Sequence, residues 1–556
     1  MVYMENPLIV QGDRTLLLEV RHPKYSQVRD ALTPFAELIK SPDYIHTYRI
    51  TPLSLWNAAA LGLRAETVLD VLSRYAKFPV PSAVQDEIIK TMSRFGQLQL
   101  FISEGKLVLS AAEARMMDDI LCYVSIADLI ERRINEREAV VPLALRGVIK
   151  QSLLKLGYPV QDMAGYTDGE KVKMALCEQR GFALRDYQKT AVDAFYAGGS
   201  ASGGNGVIVL PCGAGKTLVG IETMVRFGMA TLVLTSSTTS VKQWRDEMVA
   251  RTTLTEEQVG VYTGQEKRVG PVTISTYQMI THRDADSGEF PHLSLFHKRD
   301  WGLIIYDEVH LLPAPVFRMT ADIQAKRRLG LTATLVREDG RADDVFSLIG
   351  PKKYELPWRQ LEEQGYIASA VCTEVRIPLS GQQKTAYLGA GEREKFRIAA
   401  ENPDKTSVVR DVLRQHEGEQ VLIIGQYVSQ LESLARELNA PLITGKTPQA
   451  ERETLYMQFR RGEIATLVVS RVANFAIDLP DASVAVQVSG TFGSRQEEAQ
   501  RLGRILRPKK DGRTAHFYSL VSADSKEEQY AHKRQMFLVE QGYEYRLHMS
   551  GSLSFA

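Results

Sequence analysis

Cysteine is scarce in this 556-residue chain, and its four cysteines lie far apart with no CxxC pair. That spacing argues against a zinc site and a disulfide framework, and it favours a reducing cytosol. Long apolar runs are missing as well, because no segment reaches the ~18 uninterrupted apolar residues that a membrane span needs. The first residues carry no basic stretch followed by an apolar one. We therefore expect no signal peptide, no membrane contact and a cytoplasmic location.

An excess of one charge is also missing. The 68 Lys and Arg residues nearly balance the 67 Asp and Glu residues, which gives a formal net charge of +1. Whole-chain basicity therefore gives no sign of a nucleic-acid partner, and basic groups for such a partner would have to be gathered locally. The apolar share of 44% is ordinary for a globular protein. The length predicts roughly three or four domains.

The first 175 residues or so are Leu-rich and contain no phosphate-binding glycines. Their periodicity predicts helices over 64–76 and 82–96, followed by a hairpin over 97–111. Helix, turn, helix, hairpin is the order of a winged-helix unit, whose helix-turn-helix part places a helix in the DNA major groove. A small packing or protein-contact domain is an equally good interpretation.

From about residue 176, short Val/Ile/Leu runs alternate with helical stretches, and the pattern starts again after residue 366. Such runs are typical of parallel strands buried on both faces. We therefore predict an α/β fold of two tandem RecA-like parallel-sheet lobes after an N-terminal α+β accessory region. The expected domains are the accessory region with its winged-helix-like unit (1–130), a linking segment (131–178), the first lobe (179–362) and the second lobe (363–556).

The octet LPCGAGKT (210–217) predicts a phosphate-binding loop, because the strand-like run GVIVL precedes it and an apolar helix follows. Its glycines let backbone N–H groups approach phosphates, and the helix N-terminus adds a positive end. Lys216 would hold the β- and γ-phosphates of ATP, and the Thr217 hydroxyl would bind Mg²⁺. The general motif begins with glycine, where this chain has leucine. The predicted loop contacts are Leu210, Pro211, Cys212, Gly213, Ala214, Gly215, Lys216 and Thr217.

The later run GLIIYD (302–307) ends in Asp307, and a second carboxylate, Glu308, follows it directly. At the carboxyl edge of a parallel strand, Asp307 would bind Mg²⁺ and Glu308 would orient and deprotonate the attacking water. His310 would relay the nucleotide state to Thr332 and Thr334 in LGLTATL (329–335).

Two flanking motifs complete the predicted nucleotide site. In LRDYQ (184–188), Gln188 is the candidate reader of the adenine edge, with Arg185 in support, although an ordinary helix start is the alternative. In SRQEEAQRLGRILRP (494–508), three arginines at intervals of three residues share one helix face. An arginine supplied across a cleft contributes ~10³-fold or more to phosphoryl transfer. The residues of this motif are Gln500, Arg501, Arg504 and Arg507.

Together these motifs resemble those of superfamily 2 helicases, and more narrowly those of the xeroderma pigmentosum group B (XPB) type DNA helicases. The narrow resemblance rests on VIVLPCGAGKT (207–217), WGLIIYDEVHLLPA (301–314), LGLTATLVREDG (329–340), GYIA (365–368) and EEAQRLGRILRP (497–508). It implies an ATP- and Mg²⁺-dependent 3′-to-5′ DNA helicase of nucleotide excision repair, associated with the nucleoid. The implied partners are single-stranded DNA, duplex junctions and a repair nuclease, and we expect a monomer.

The resemblance also assigns individual residues. Arg337, Glu338 and Asp339 would form the RED motif used in strand separation, Arg504 and Arg507 would be the arginine fingers, and the segment 131–178 would correspond to the damage-recognition segment. In SRVANFAIDLP (470–480) the family usually has glycine and an acidic residue where Ala-Asn stands, while an aspartate remains. This departure concerns the coupling of ATP to DNA. The remaining candidates are Asp478 for nucleotide binding, and Trp244, Thr276 and Arg471 for the DNA track.

Two other functions stay open at this point. A translocase would move along duplex DNA without separating its strands, and a DNA-binding scaffold would keep only a vestigial ATPase. A small-molecule P-loop kinase is disfavoured, because it has no need of a second lobe with periodic arginines. For Trp244, packing on an amphipathic helix is the alternative to a DNA contact.

Overall fold

A computed structural model describes residues 6–41, 44–177, 183–200, 203–211, 213–284, 288–323, 326–333, 342–366, 368–470, 482–490, 514–540, 543 and 545–550. The chain forms two compact units. The first comprises Met1–Glu37, Tyr48–Leu210 and Gly215–Leu356, and the second comprises Leu38–Thr47, Pro211–Ala214 and Pro357–Ala556. Within the described ranges, no helix is both long and apolar enough to cross a membrane.

The N-terminal segment starts with an antiparallel pair of strands in which Leu8 lies opposite Leu18. The helix Pro52–Ala60 begins with a capping box, in which Thr51 and Ser54 each accept a hydrogen bond from the other's backbone N–H at 3.0 Å. The elements are β1 (Leu8–Val10), β2 (Thr15–Glu19), α1 (Tyr25–Leu32), β3 (Glu37–Lys40), β4 (Ile45–Arg49), α2 (Pro52–Ala60), α3 (Ala65–Tyr75) and α4 (Ser82–Ser93).

A five-stranded sheet follows, with the order β7-β8-β6-β5-β9. Its hairpin turns at Glu104 and Gly105, which both have positive φ angles of 50° and 75°. The sheet continues past residue 130, where the sequence pattern indicated a boundary, because β8 pairs with β6. Its elements are β5 (Leu98–Ser103), β6 (Lys106–Ala111), α5 (Ala114–Leu121), α6 (Val124–Ala127), β7 (Arg132–Arg133), β8 (Glu138–Val141), α7 (Arg146–Lys155) and β9 (Val160–Asp162).

The rest of the first unit is a lobe around a seven-stranded sheet with the order β12-β13-β11-β14-β15-β10-β16. Its strand pairs are parallel, and most of its strands are buried along their whole length because helices cover both faces. The elements are α8 (Asp186–Tyr196), β10 (Asn205–Val209), α9 (Lys216–Phe227), β11 (Thr231–Thr235), α10 (Thr238–Arg251), β12 (Val259–Tyr262), β13 (Val272–Thr276), α11 (Tyr277–Ile280), β14 (Leu303–Asp307), α12 (Ala314–Asp322), β15 (Arg327–Thr332), α13 (Ala342–Leu348) and β16 (Lys352–Glu355).

The second unit contains another seven-stranded sheet, with the order β19-β20-β18-β21-β22-β17-β23 and parallel pairs. Val409, Leu431, Val468 and Val486 form part of its core. The predicted fold class of two parallel-sheet lobes is thus confirmed. The elements are α14 (Trp358–Glu363), β17 (Ala370–Ile377), α15 (Gly381–Gly389), α16 (Glu392–Ala400), α17 (Lys405–Gln415), β18 (Val421–Gly425), α18 (Val428–Leu438), β19 (Leu442–Ile443), α19 (Gln449–Arg460), β20 (Thr466–Ser470), β21 (Val484–Gln487), β22 (Ala515–Ser522), α20 (Lys526–Glu540) and β23 (Tyr545–Met549).

Candidate nucleotide-binding site

The predicted phosphate-binding loop joins strand β10, which lies next to the edge strand β16, to helix α9. Gly213 and Gly215 have positive φ angles of 81° and 79°, which side-chain-bearing residues rarely adopt. Gly215 is the residue before the first turn of α9, and a Cβ atom there would lie 2.5 Å from Nε2 of Gln188. Helix α9 begins at Lys216, so its N-terminus, which carries the positive end of the helix dipole, lies at the carboxyl edge of the sheet. This is the local geometry that binds phosphate.

The predicted carboxylate pair lies next to this loop. Asp307 ends β14, and Glu308 follows in the left-handed conformation with φ of 50°. That turn brings Oε1 of Glu308 to 3.7 Å from Nζ of Lys216. Burial, followed by the neighbouring Glu308 carboxylate, raises the pKa of Asp307 to about 6. The site therefore holds two carboxylates and one lysine in a small volume.

His310 and Thr332 extend the carboxylate pair across two neighbouring strands. Nδ1 of His310 lies 2.8 Å from Oγ1 of Thr332 and 3.5 Å from Oε2 of Glu308. The contact arises because β14 and β15 pair in parallel and end side by side. The backbone of Thr332 also accepts a hydrogen bond from Leu210 N–H at 3.0 Å. A continuous chain of contacts thus joins the loop, the carboxylate and the threonine strand.

Gln188 and Arg185 lie at the start of α8, beside the phosphate loop. Oε1 of Gln188 accepts a hydrogen bond from Arg185 N–H at 2.9 Å, which is a helix-start contact. The other side of the carboxamide lies against Gly215. Gln188 therefore has the hydrogen bond of an ordinary helix start and also lies beside the predicted phosphate loop.

Two candidates for the DNA track lie in the interior of the lobe. Trp244 is 1% exposed, and its indole Nε1–H donates to Oδ2 of Asp307 at 2.9 Å. Thr276 is 5% exposed, and its hydroxyl accepts the Met279 N–H at the start of α11. Neither side chain is presented at the surface, so these positions give no support to a direct DNA contact.

Sequence reasoning also missed a contact of Asp307. The Tyr277 hydroxyl donates to the Asp307 backbone carbonyl at 3.0 Å. No local motif points to this contact, because Tyr277 begins helix α11 and Asp307 ends strand β14, 30 residues later in the chain. The other predicted site residues lie outside the described residues and stay predictions: Cys212, Thr334, Arg337, Glu338, Asp339, Arg471, Asp478, Gln500, Arg501, Arg504 and Arg507.

The donor set suits Mg²⁺, which binds hard oxygen ligands and completes its shell with phosphate oxygens and water. Thr217 and Asp307 supply a hydroxyl and a carboxylate. Oε2 of Glu308 is buried and accepts no hydrogen bond from any described residue. Across the described residues, no group of three or more His, Cys, Asp and Glu side chains could hold a metal ion.

The loop, the carboxylate pair and the His–Thr contact, set on an all-parallel sheet in a chain with two such sheets, define a P-loop nucleoside triphosphatase of the two-lobed class. Sequence comparison narrows that class. The DNA 3′-5′ helicase XPB of Mycobacterium tuberculosis is 55% identical over 542 residues, which cover 97% of this chain and 97% of the relative. The chain belongs to the XPB family of DNA helicases.

Further comparisons agree with this assignment. The general transcription and DNA repair factor IIH helicase/translocase subunit XPB of Antonospora locustae is 35% identical over 562 residues, covering 98% of this chain and 82% of the relative. Residues 361–552 match the family model for the ERCC3/RAD25/XPB C-terminal helicase. Residues 181–337 match the type III restriction enzyme res subunit, and residues 8–135 match a model described as a helicase conserved C-terminal domain.

Among solved structures, the ATP-dependent Type ISP restriction-modification enzyme LlaBIII bound to DNA has a similar fold. The TM-score is 0.50 at 13% identity, covering 67% of this chain and 32% of that chain. At this identity the likeness concerns the fold alone.

Proposed function

We propose that this chain is an ATP-dependent 3′-to-5′ DNA helicase that acts in nucleotide excision repair. The observation that carries the proposal is the contact chain Lys216–Glu308–His310–Thr332, with spacings of 3.7, 3.5 and 2.8 Å. It connects a phosphate-holding lysine to a strand that leads towards the segment 334–341. The identity to the Mycobacterium tuberculosis helicase over nearly the whole chain supports the same activity.

Hydrolysis would proceed through the residues of this contact chain. Lys216 holds the β- and γ-phosphates, while Thr217 and Asp307 hold Mg²⁺. When bound, Mg²⁺ neutralises the charge that develops on the phosphates. Glu308 orients the attacking water and accepts its proton. Because Glu308 contacts His310 and His310 contacts Thr332, a movement of Glu308 when the γ-phosphate leaves is transmitted to Thr332.

DNA would be bound through phosphate contacts without base readout, since a helicase acts on any sequence. We propose junctions of single-stranded and duplex DNA as the substrate, a nuclease as a repair partner and the nucleoid as the place of action. The Antonospora relative is a general transcription and DNA repair factor IIH subunit, and this likeness supports a role in DNA metabolism.

The test is strand displacement on a forked duplex with a 3′ single-stranded tail, with a 5′-tailed fork for comparison. Lys216→Ala serves as the blank, because it removes the phosphate-holding amine while leaving the rest of the loop. We expect ATP-dependent displacement on the 3′-tailed fork alone. Displacement on the 5′-tailed fork, or displacement by the variant, would contradict the proposal.

Translocation on duplex DNA without strand separation is the second candidate, because the name of the Antonospora relative reads helicase/translocase. In that case DNA stimulates ATP hydrolysis but no strand leaves the fork. Displacement of a triplex-forming strand from a blunt duplex would then reveal the movement.

A further inference from the structure

We propose that Trp244 is a positioning residue for metal binding, whose indole N–H holds the Asp307 carboxylate in the orientation that receives the metal–nucleotide complex. The inference rests on the role of Asp307 given under the proposed function. Trp244 lies on α10, 63 residues before Asp307 in the chain, and its Nε1 lies 2.9 Å from Oδ2. No motif in the sequence joins the two residues.

Two donors fix the plane of the carboxylate. Trp244 donates to Oδ2, and the Glu308 backbone N–H donates to Oδ1 at 3.1 Å. Each carboxylate oxygen has two lone pairs, so one acceptor site on each oxygen remains for a metal ion or its water ligands. Among the described residues, Lys216 and Glu308 are charged groups that act on this carboxylate. Outer partners of this kind orient metal ligands, and their loss typically costs about 10–100-fold in metal affinity.

The Trp244 indole fits into a space next to helix α9. Trp244 is almost fully buried, and it packs against Gly220 on α9, the helix that begins at the phosphate loop. A Cβ atom at Gly220 would lie 2.4 Å from Cη2 of the indole and 3.2 Å from Cδ1 of Leu331. The indole ring is rigid, so even an alanine at this position would displace it. Glycine at 220 therefore leaves room for the ring that reaches Asp307.

A purely structural role is the competing explanation, and Trp301 provides the matched control. Trp301 is also 1% exposed in the same lobe, and its Nε1 donates to the Leu295 carbonyl at 3.0 Å. Replacing either tryptophan by phenylalanine removes one buried indole N–H and part of a ring. Only the change at 244 removes a donor to Asp307.

The experiment measures the affinity of Mn²⁺ for the full-length protein with a non-hydrolysable ATP analogue, by electron paramagnetic resonance. We expect Trp244→Phe to weaken Mn²⁺ binding about ten-fold, Trp301→Phe to bind like the wild type, and Asp307→Asn to weaken binding at least as much as Trp244→Phe. Binding of the analogue without metal should be the same in the wild type and in the two tryptophan variants, whose net charge does not change. ATPase assays should show a higher half-saturating Mg²⁺ concentration for Trp244→Phe, with most of kcat regained at saturation.

These outcomes distinguish the positioning role of Trp244 from the metal-binding role of Asp307. If Asp307→Asn weakens Mn²⁺ binding and Trp244→Phe does not, the positioning role is wrong. If Asp307→Asn leaves Mn²⁺ binding unchanged, the metal role in the proposed function is wrong. Should Trp244→Phe fail to fold, Gly220→Ala keeps the indole but displaces it, and it must give the same weakening. Unchanged affinity in Gly220→Ala would then overturn the proposal.

Discussion

Glu308 has a left-handed backbone conformation that glutamate rarely adopts, with φ of 50°. A non-glycine residue in this region costs about 1–3 kcal/mol, and such residues cluster at functional sites. Here the conformation begins the short 3-10 turn Val309–Leu311 directly after β14. It also places the side chain between Lys216 and His310. The strained backbone thus brings the Glu308 carboxylate and the His310 ring together, although only one residue separates them in the chain.

Asp307 yields a prediction at the same scale. Its folded pKa of about 6 lies above the ordinary value of 3.8, so the fold disfavours the ionised form. The resulting destabilisation is absent below about pH 4, grows as the pH rises to 6 and is fully present above 6. We expect Asp307→Asn to raise Tm of the metal-free protein at pH 7 while abolishing ATP hydrolysis.

Thermal unfolding of both proteins from pH 4 to pH 8 measures this difference. The advantage of the variant should vanish near pH 4. A variant that is less stable than the wild type at pH 7 would show that the carboxylate is held by attractive contacts stronger than its burial cost.

Strand β15, helix α7 and strand β9 meet in a buried cluster of charges within the first unit. Asp162 on β9 accepts two hydrogen bonds from Arg146 at 3.0 and 2.8 Å and one from Lys150 at 2.8 Å. Arg328 on β15 and Arg146 lie over the ring of Tyr166, at 5.6 and 5.4 Å from its centroid. Arg146 and Lys150 thus share a single carboxylate, and Arg328 lies in the same buried cluster. The pKa of Lys150 falls to about 7 because burial disfavours its charged form.

The cluster predicts unequal effects of removing its members. Asp162→Asn leaves the cations buried without a negative charge, and we expect a loss of about 3–5 kcal/mol in the free energy of unfolding. Lys150→Met should cost less than about 1 kcal/mol, because Arg146 still holds Asp162 through two hydrogen bonds. Urea unfolding measures both values. Equal losses in the two variants would show that Lys150 is needed as a charge.

For the molecule as a whole, the first unit carries Lys216 and the carboxylates Asp307 and Glu308, while the predicted arginine fingers belong to the second lobe. We predict that Arg504→Ala lowers kcat for ATP by about 10³-fold or more, because an arginine at the γ-phosphate stabilises the transition-state charge. Binding of ATP to the first unit should change little. Steady-state hydrolysis and equilibrium nucleotide binding measure the two effects separately.

Arg410→Ala provides a control, since that arginine pairs with Glu437 on the surface of the second unit at 2.8 Å and should leave kcat unchanged. If kcat of Arg504→Ala also stays unchanged, Arg504 is not a catalytic arginine.

The class of this protein follows from its sequence. Runs such as GVIVL and GLIIYD predicted parallel strands because such strands are buried on both faces, and both seven-stranded sheets confirm that interpretation. The resemblance of motifs such as VIVLPCGAGKT and LGLTATLVREDG to those of XPB-type helicases also predicted the family, which the comparison with the Mycobacterium tuberculosis helicase confirms. These features are local, because a strand or a loop is encoded by residues that are neighbours in the chain.

The partners of individual side chains depended on the tertiary structure. Trp244 suggested a DNA contact in sequence, but helix packing buries it against Asp307, 63 residues away. Asp162 and Arg328 share a buried cluster although they lie on different sheets. The sequence by itself determined which elements form and which chemistry they carry, because periodicity and motifs are short-range. Only the tertiary structure decided which side chains meet, because that depends on strand order, register and the packing of helices.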